Sequence, residues 1–232
     1  MITHPFRLLQ PLRDQLDVRF FIKADSISCD NDIIRLAHAE NLASLNQVHG
    51  SRAVIVRAET RRTEEADALA TDQIGLTLTI RFADCQNFLV FSPQKNIICL
   101  IHAGWKGLKS GVISSTFSLL RKEWQIHPAD TIVCAGPSLC RSCAEFTDPQ
   151  KEAPELTNYA KDRCIDLQKA ADEELFSLGV LQENFERLSE CTRCCPQKYC
   201  TYRGGDREEV LRGQCNCLAV TLLKSGQWKV YG

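Results

Sequence analysis

The chain has 232 residues, 44% of them hydrophobic, and a formal net charge of −1. That length suits one domain of the larger sort or two small ones with a substantial core, and the near-neutral balance without a basic tract argues against a nucleic-acid partner. No apolar run reaches the ~18–20 residues of a membrane-spanning helix, and the start, Met1 to Arg7, lacks the long apolar core of a signal peptide, so a soluble cytoplasmic protein with no membrane partner is expected. Thirteen cysteines, an odd number, cannot all pair within the chain. Disulfide frameworks belong mainly to short secreted domains, so reduced thiols are expected here, a few of them ligands.

Taken in order, residues 18–22 read as a strand. Asp30 and Asn31 can cap a helix over 32–45, with Ile33, Ile34, Leu36, Ala37 and Leu45 as its apolar face and His38 a packed or surface residue within it. Gln47 to Gly50 form a turn that carries His49, Gly50 freeing the backbone directly after it, and lead into a strand over 53–56. Residues 57–66 are charged and read as a surface loop. Asp67 is either a turn or cap residue or a carboxylate that orients a ligand histidine. From Leu76 to Phe82 apolar and polar residues alternate, the period of a half-buried strand, and this strand delivers Asp84 and Cys85 at its C-terminal end. A second apolar run, 97–101, delivers His102 in the same way. One thiolate and two imidazoles on loop tips, at 49, 85 and 102, are the raw material of a metal site with an open position. The spacing matches no short zinc-finger pattern, and a lone cysteine at a strand end can equally be a small buried hydrophobe.

Residues 102–120 read as strand, turn and helix. The glycine-bearing turn offers backbone N–H groups to an anion, Lys106 adds a positive charge, and Trp105 can wall a pocket for a flat base. An ordinary turn with a solvated lysine fits the same residues, and the Gly-Lys-Ser/Thr order of a Walker loop is absent. A strand is expected over 131–135, a surface excursion over 148–165, and an amphipathic helix over 166–178 that Gly179 ends. Cys140-x-x-Cys143 and Cys191-x-x-Cys194-Cys195, with Cys200, Cys215 and Cys217, raise the question of structural zinc or an iron–sulfur site. Residues 217–223 read as a closing strand. Strands alternating with a few helices make a mixed α/β domain, read as one unit over 1–232.

Gln47-Val48-His49-Gly50, Ala66-Asp67-Ala68-Leu69-Ala70-Thr71, Ala83-Asp84-Cys85 and His102-Ala103-Gly104-Trp105-Lys106-Gly107 occur in the order found in the laccase-domain, YfiH-like family, also called multicopper polyphenol oxidases. Gly136-Pro137-Ser138-Leu139 and Thr201-Tyr202-Arg203 resemble its later motifs. The resemblance covers roughly residues 40 to 223. It implies an α+β fold, a layered α-β-β-α sandwich with mixed sheets. It also implies a purine nucleoside phosphorylase that deaminates adenosine and cleaves methylthioadenosine. Its substrates would be purine nucleosides and phosphate, and it would be a monomer or weak homo-oligomer. His49, Cys85 and His102 would be the metal ligands and catalytic centre, on zinc with copper possible. Five histidines are too few for a multicopper oxidase. Lys106, Arg203 and Trp105 would meet phosphate and substrate, with Asp67 and Asp84 behind the ligands. The family's cysteine element near 191 needs no second metal, so one ion per chain is expected. Departures fall at Gln86-Asn87, where the family has proline and aliphatics, at Lys106, where it has arginine, at Ala144, where it has an aromatic ring, and in the N-terminal segment. Two further classes fit the same residues. One is a cysteine hydrolase with Cys85 as nucleophile, of the kind that edits peptidoglycan precursors. The other is a non-catalytic metal-binding scaffold.

Overall fold

A computed structural model describes residues 1–224. The strands are β1 (Ile2–Thr3), β2 (Leu16–Phe21), β3 (Asn41–Asn46), β4 (Ala53–Ile55), β5 (Thr60–Glu65), β6 (Ala68–Thr71), β7 (Leu76–Phe82), β8 (Gln86–Ser92), β9 (Ile97–Ala103), β10 (Ile132–Ala135), β11 (Ala160–Lys161), β12 (Cys164–Ile165), β13 (Phe185–Arg187) and β14 (Asn216–Leu222). The helices are α1 (Asp30–Ala37), α2 (Trp105–Lys109), α3 (Val112–Trp124), α4 (Pro149–Glu152), α5 (Leu167–Leu178) and α6 (Arg207–Leu211).

Two six-stranded mixed sheets, ordered β1-β2-β14-β7-β3-β5 and β13-β10-β8-β9-β6-β4, lie face to face. Leu78, Ile80, Leu218 and Val220 of the first pack against Leu89, Phe91, Ile98 and Leu100 of the second. Each such side chain, fully removed from water, contributes about 1.5–3 kcal/mol. Helices α3 and α5 cover the outer face of the second sheet through Ile113, Phe117, Leu120, Ala171 and Leu175. Helix α1 covers the first through Ile33 and Ala37, against Phe21, Leu42 and Ala219. This is the layered α-β-β-α arrangement that the motifs imply. No helix among the described residues is long and apolar enough to cross a membrane.

Several elements differ from expectation for identifiable reasons. The helix expected over 32–45 stops at Ala37, because His38 turns left-handed (φ 50°) and caps Ile34. Residues 41–46 then become β3, which pairs in parallel with β7. Asp30 does not cap: it is buried, accepting from Ser44 Oγ at 2.6 Å and pairing with Arg81. The capping carboxylate is Asp32, which takes the N–H groups of Ser28 and Cys29. Residues 60–65, expected as loop, are an edge strand beside β3, where exposed charge discourages further pairing. The segment after Cys85 is the wholly buried strand β8. There the Gln86 amide donates to the carbonyl of Leu167 and accepts from Arg187. The 148–165 excursion is not all surface, since Ala153, Leu156 and Ile165 join the core under α5. The helix expected up to 120 is α3, which begins at Val112 after the left-handed Gly111 (φ 77°) and runs on to Trp124, while the turn before it holds the five-residue helix α2 with Ser110 as its C-cap.

Candidate active site

The two central sheets bring three loop tips together. β3 ends in the turn Gln47–Gly50 and β7 ends at Arg81–Cys85. Gln47 locks these two together: its amide donates to the Arg81 carbonyl and accepts the Arg81 N–H, both at 2.8 Å. β9, in the other sheet, ends at His102–Gly104. The ligand residues therefore come from both sheets, not from one sheet edge.

Asp67, fully buried, ties the tips into one unit. Its Oδ1 accepts from His102 Nδ1 at 2.8 Å and from the His49 N–H at 3.0 Å. Its Oδ2 accepts from the Gly50 N–H at 2.6 Å and the Val48 N–H at 3.3 Å. One carboxylate thus both holds the turn and orients the His102 imidazole. His49 itself is left-handed (φ 58°), a conformation that the three N–H contacts around it hold in place. Burial pushes the Asp67 carboxyl up, but the bonds from His102, Gly50 and His49 outweigh it and hold its pKa below the ordinary value.

With His102 Nδ1 committed to Asp67, Nε2 is the nitrogen left to face Cys85. One ligand atom from each of His49, Cys85 and His102 lies within 4.8 Å of the others, and the two imidazoles meet edge to face at 4.8 Å. Burial raises the Cys85 thiol, yet the His102 charge and hydrogen bonds from both histidines bring its pKa down to about 6. Burial lowers His102, while the Cys85 thiolate and Asp67 raise it to about 9. Gly104 gives the cluster its room: a Cβ there would sit 2.8 Å from His49 Cδ2 and 3.0 Å from Cys85 Sγ. A thiolate and two imidazoles, one anchored by a buried carboxylate, form a donor set that fits zinc or copper and leaves a position open.

Asp84 carries the loop that presents Cys85. Its backbone is left-handed (φ 80°), strained for a residue with a Cβ. Three donors pay for this: Thr192 Oγ1 and Thr201 Oγ1, each 2.7 Å from Oδ1, and the Arg203 N–H, 2.8 Å from Oδ2. Asp84 touches neither imidazole. It fixes the path of the chain into Cys85 and joins it to the 192–203 segment.

The cluster lies in a cleft of about 610 Å³ that is also lined by Trp105, Lys106, Arg81, Tyr202 and Arg203. Trp105 is half-buried and meets the Phe146 ring edge-on, with 5.6 Å between ring centres. Lys106 is exposed, 5.6 Å from the centre of the Trp105 ring. Arg203 rests over Phe146 and donates to the Glu145 carbonyl. Gln47, Thr192, Thr201 and Tyr202 were not singled out as site residues from sequence: Gln47 shares a motif with His49, Thr201 and Tyr202 share one with Arg203, and Thr192 lies between Cys191 and Cys194.

Together the layered sandwich and its His-Cys-His cluster define a laccase-like domain. The chain belongs to the multi-copper polyphenol oxidoreductase laccase family, whose profile matches residues 27–219. It is 30% identical over 152 residues to the human purine nucleoside phosphorylase LACC1, covering 60% of this chain and 35% of the human one. It is 27% identical over 173 residues to a purine nucleoside phosphorylase of Clostridium acetobutylicum, covering 72% of each. The chain therefore spans about a third of the human relative and most of the bacterial one. Its fold matches that of YlmD from Geobacillus stearothermophilus, with a TM-score of 0.78, 21% identity and 94% of each chain covered. It also matches the YfiH protein of Bacillus licheniformis, with a TM-score of 0.77, 21% identity, and 95% and 100% covered.

Proposed function

We propose that the cleft is the active site of a metal-dependent purine nucleoside phosphorylase, which converts adenosine or inosine and phosphate to the free base and ribose 1-phosphate. In this reading the same site deaminates adenosine and cleaves methylthioadenosine, and the protein works in the cytoplasm. The observation that carries it is the His49–Cys85–His102 cluster at the wall of a cleft that also holds an indole, a phenol and the cationic side chains of Lys106 and Arg203. A divalent ion held by these three residues would supply Lewis-acid chemistry. Asp67 keeps the proton on His102 Nδ1 and so keeps Nε2 available. Trp105 and Tyr202 offer flat faces to a purine ring. Lys106 and Arg203 bring positive charge to a phosphate whose oxygen must approach the ribose C1′ as the base departs. Lys106 provides a point charge where arginine would give a two-pronged contact.

The test is product release from adenosine and inosine, with and without phosphate, for the wild type and for Cys85→Ala, His49→Ala and His102→Ala, alongside metal analysis. Phosphorolysis should require phosphate and deamination should not. Each variant should lose the equivalent of metal bound at this cluster and turnover together. Full activity in Cys85→Ala protein that has lost that equivalent overturns the reading. A second reading has a specific observation behind it: Cys85, His102 and Asp67 form the nucleophile, base and orienting carboxylate of a cysteine hydrolase. Loss of activity in Cys85→Ala with metal fully retained, together with covalent labelling of Cys85 by a substrate-like electrophile, would favour it.

A further inference from the structure

We propose that Cys140, Cys143, Cys191 and Cys194 bind a second, structural zinc ion that clamps two loops behind the cleft. The sequence reading expects one ion per chain, because the cysteines near 191 resemble a family element that needs none. The fold changes the question by bringing in the other pair. Cys140 to Cys143 make a single tight turn after β10, and Cys191 to Cys194 make another after β13. A parallel bridge between Ser138 and Cys191, with the Thr192 N–H on the Ser138 carbonyl at 3.2 Å, sets the two turns against each other.

The sulfur separations are of the size that a four-thiolate zinc site needs. All four Sγ atoms lie within 4.8 Å of one another. Cys194 Sγ is 3.6 Å from Cys143 Sγ and 3.9 Å from Cys140 Sγ. Four thiolates at about 2.3 Å from a zinc ion stand about 3.8 Å apart along each tetrahedral edge. A disulfide needs about 2.0 Å, and all four are free thiols. The Cys140 N–H points at Cys191 Sγ at 3.2 Å, a donor suited to a thiolate. Zinc with four thiolates carries a net charge of −2, and each loop contributes one exposed arginine between its cysteines, Arg141 and Arg193. None of the four cysteines lines the cleft, so the site is separate from the His49–Cys85–His102 cluster.

Its consequence reaches the active site through two residues. Leu139, next to Cys140, donates its N–H to the Asp84 carbonyl at 3.1 Å. Thr192, next to Cys191, donates to the Asp84 carboxylate. An ion joining the two turns would therefore fix both supports of the strained residue that presents Cys85.

The proposal does not depend on the nucleoside reading, and one experiment separates them. Full-length protein, purified under reducing conditions without chelator and with zinc in the buffer, is analysed for bound zinc as wild type, as the Cys140→Ser/Cys194→Ser double variant and as Cys85→Ala. The wild type should hold about two equivalents and each variant about one. If Cys85→Ala keeps two equivalents, the active-site metal fails while this site stands. If the double variant keeps the wild-type content, this site fails. Should the double variant not fold, the wild type decides: zinc should protect all four cysteines from alkylation under native conditions, read by peptide mass spectrometry, and a chelator should expose them. Equal labelling with and without zinc, a disulfide among the four, or iron in place of zinc each overturns the proposal.

Discussion

Asp67→Asn isolates what one buried carboxylate does for the candidate active site. The side chain keeps its size but exchanges one acceptor oxygen for a donor NH2. Four N–H groups converge on the carboxylate, two on each oxygen. Whichever way the amide is placed, two of those donors meet another donor. Losing two bonds to a charged acceptor costs about 3–6 kcal/mol at about 1.5–3 kcal/mol each, and relief from burying a charge returns part of it, leaving about 2–4 kcal/mol. If the NH2 faces His102, the ring must move its proton from Nδ1 to Nε2 and lose the lone pair that faces Cys85. If it faces Gly50 and Val48, the turn carrying His49 loosens. Either way metal affinity should fall about 10–100-fold. Urea unfolding of the metal-free protein gives the first quantity, and competition against a chromophoric chelator gives the second. A variant within about 0.5 kcal/mol of wild type with unchanged metal affinity would refute the assignment of Asp67 as the organiser of these loops.

Gly104→Ala should leave the fold intact but weaken metal binding by about tenfold or more, because its Cβ would press on His49 and Cys85 at 2.8 and 3.0 Å; chelator competition beside a thermal melt separates the two effects. Gly136→Ala should destabilise by about 1–3 kcal/mol in a urea titration, since its Cβ would lie 2.0 Å from Asn87 Oδ1 and 2.9 Å from Phe20 Cε2. Asp32, whose pKa is held near about 2 first by the Ser28 N–H and then by other donors around it, contributes stability that is complete above its unfolded pKa of 3.8 and is lost as pH falls through the folded one. The gap between wild type and Asp32→Asn should thus be about 1 kcal/mol at pH 7 and close between about pH 4 and pH 2; a gap independent of pH would contradict this.

Cys85 and His102 were legible because each was placed at the end of a strand whose pattern is local: the alternation of 76–82 and the apolar run of 97–101 need no tertiary information. His49 was legible from its turn with Gly50, although the strand that precedes it was read as helix. Asp67 was legible only as a pair of alternatives, since nothing in Ala66-Asp67-Ala68 says that its two oxygens serve different partners. The helix and strand confusion at 41–46 has a physical origin. Leu42, Ala43 and Leu45 suit either period, and what decides is the open edge of β7, distant in sequence. The charged strand 60–65 was hidden for the converse reason, being an exposed edge with no face to bury. The cysteine pairs at 140 and 191 were visible, but only the Ser138–Cys191 bridge, across some fifty residues, shows that they belong together.

The position of β14 has a consequence for how this protein is made. It lies between β2 and β7, pairing with both, and among the described residues it is the strand that joins the β1-β2 half of the first sheet to the β7-β3-β5 half. On a ribosome, residues 16–21 emerge first and their sheet partner at 216–222 emerges some two hundred residues later. Until then β2 has only the two-residue β1 beside it, and the inner edge of β7 is open. The sheet that carries His49 and Cys85 therefore closes only after some two hundred further residues have followed β2 out of the ribosome, and the nascent chain must keep two apolar strand edges from pairing with anything else in the meantime.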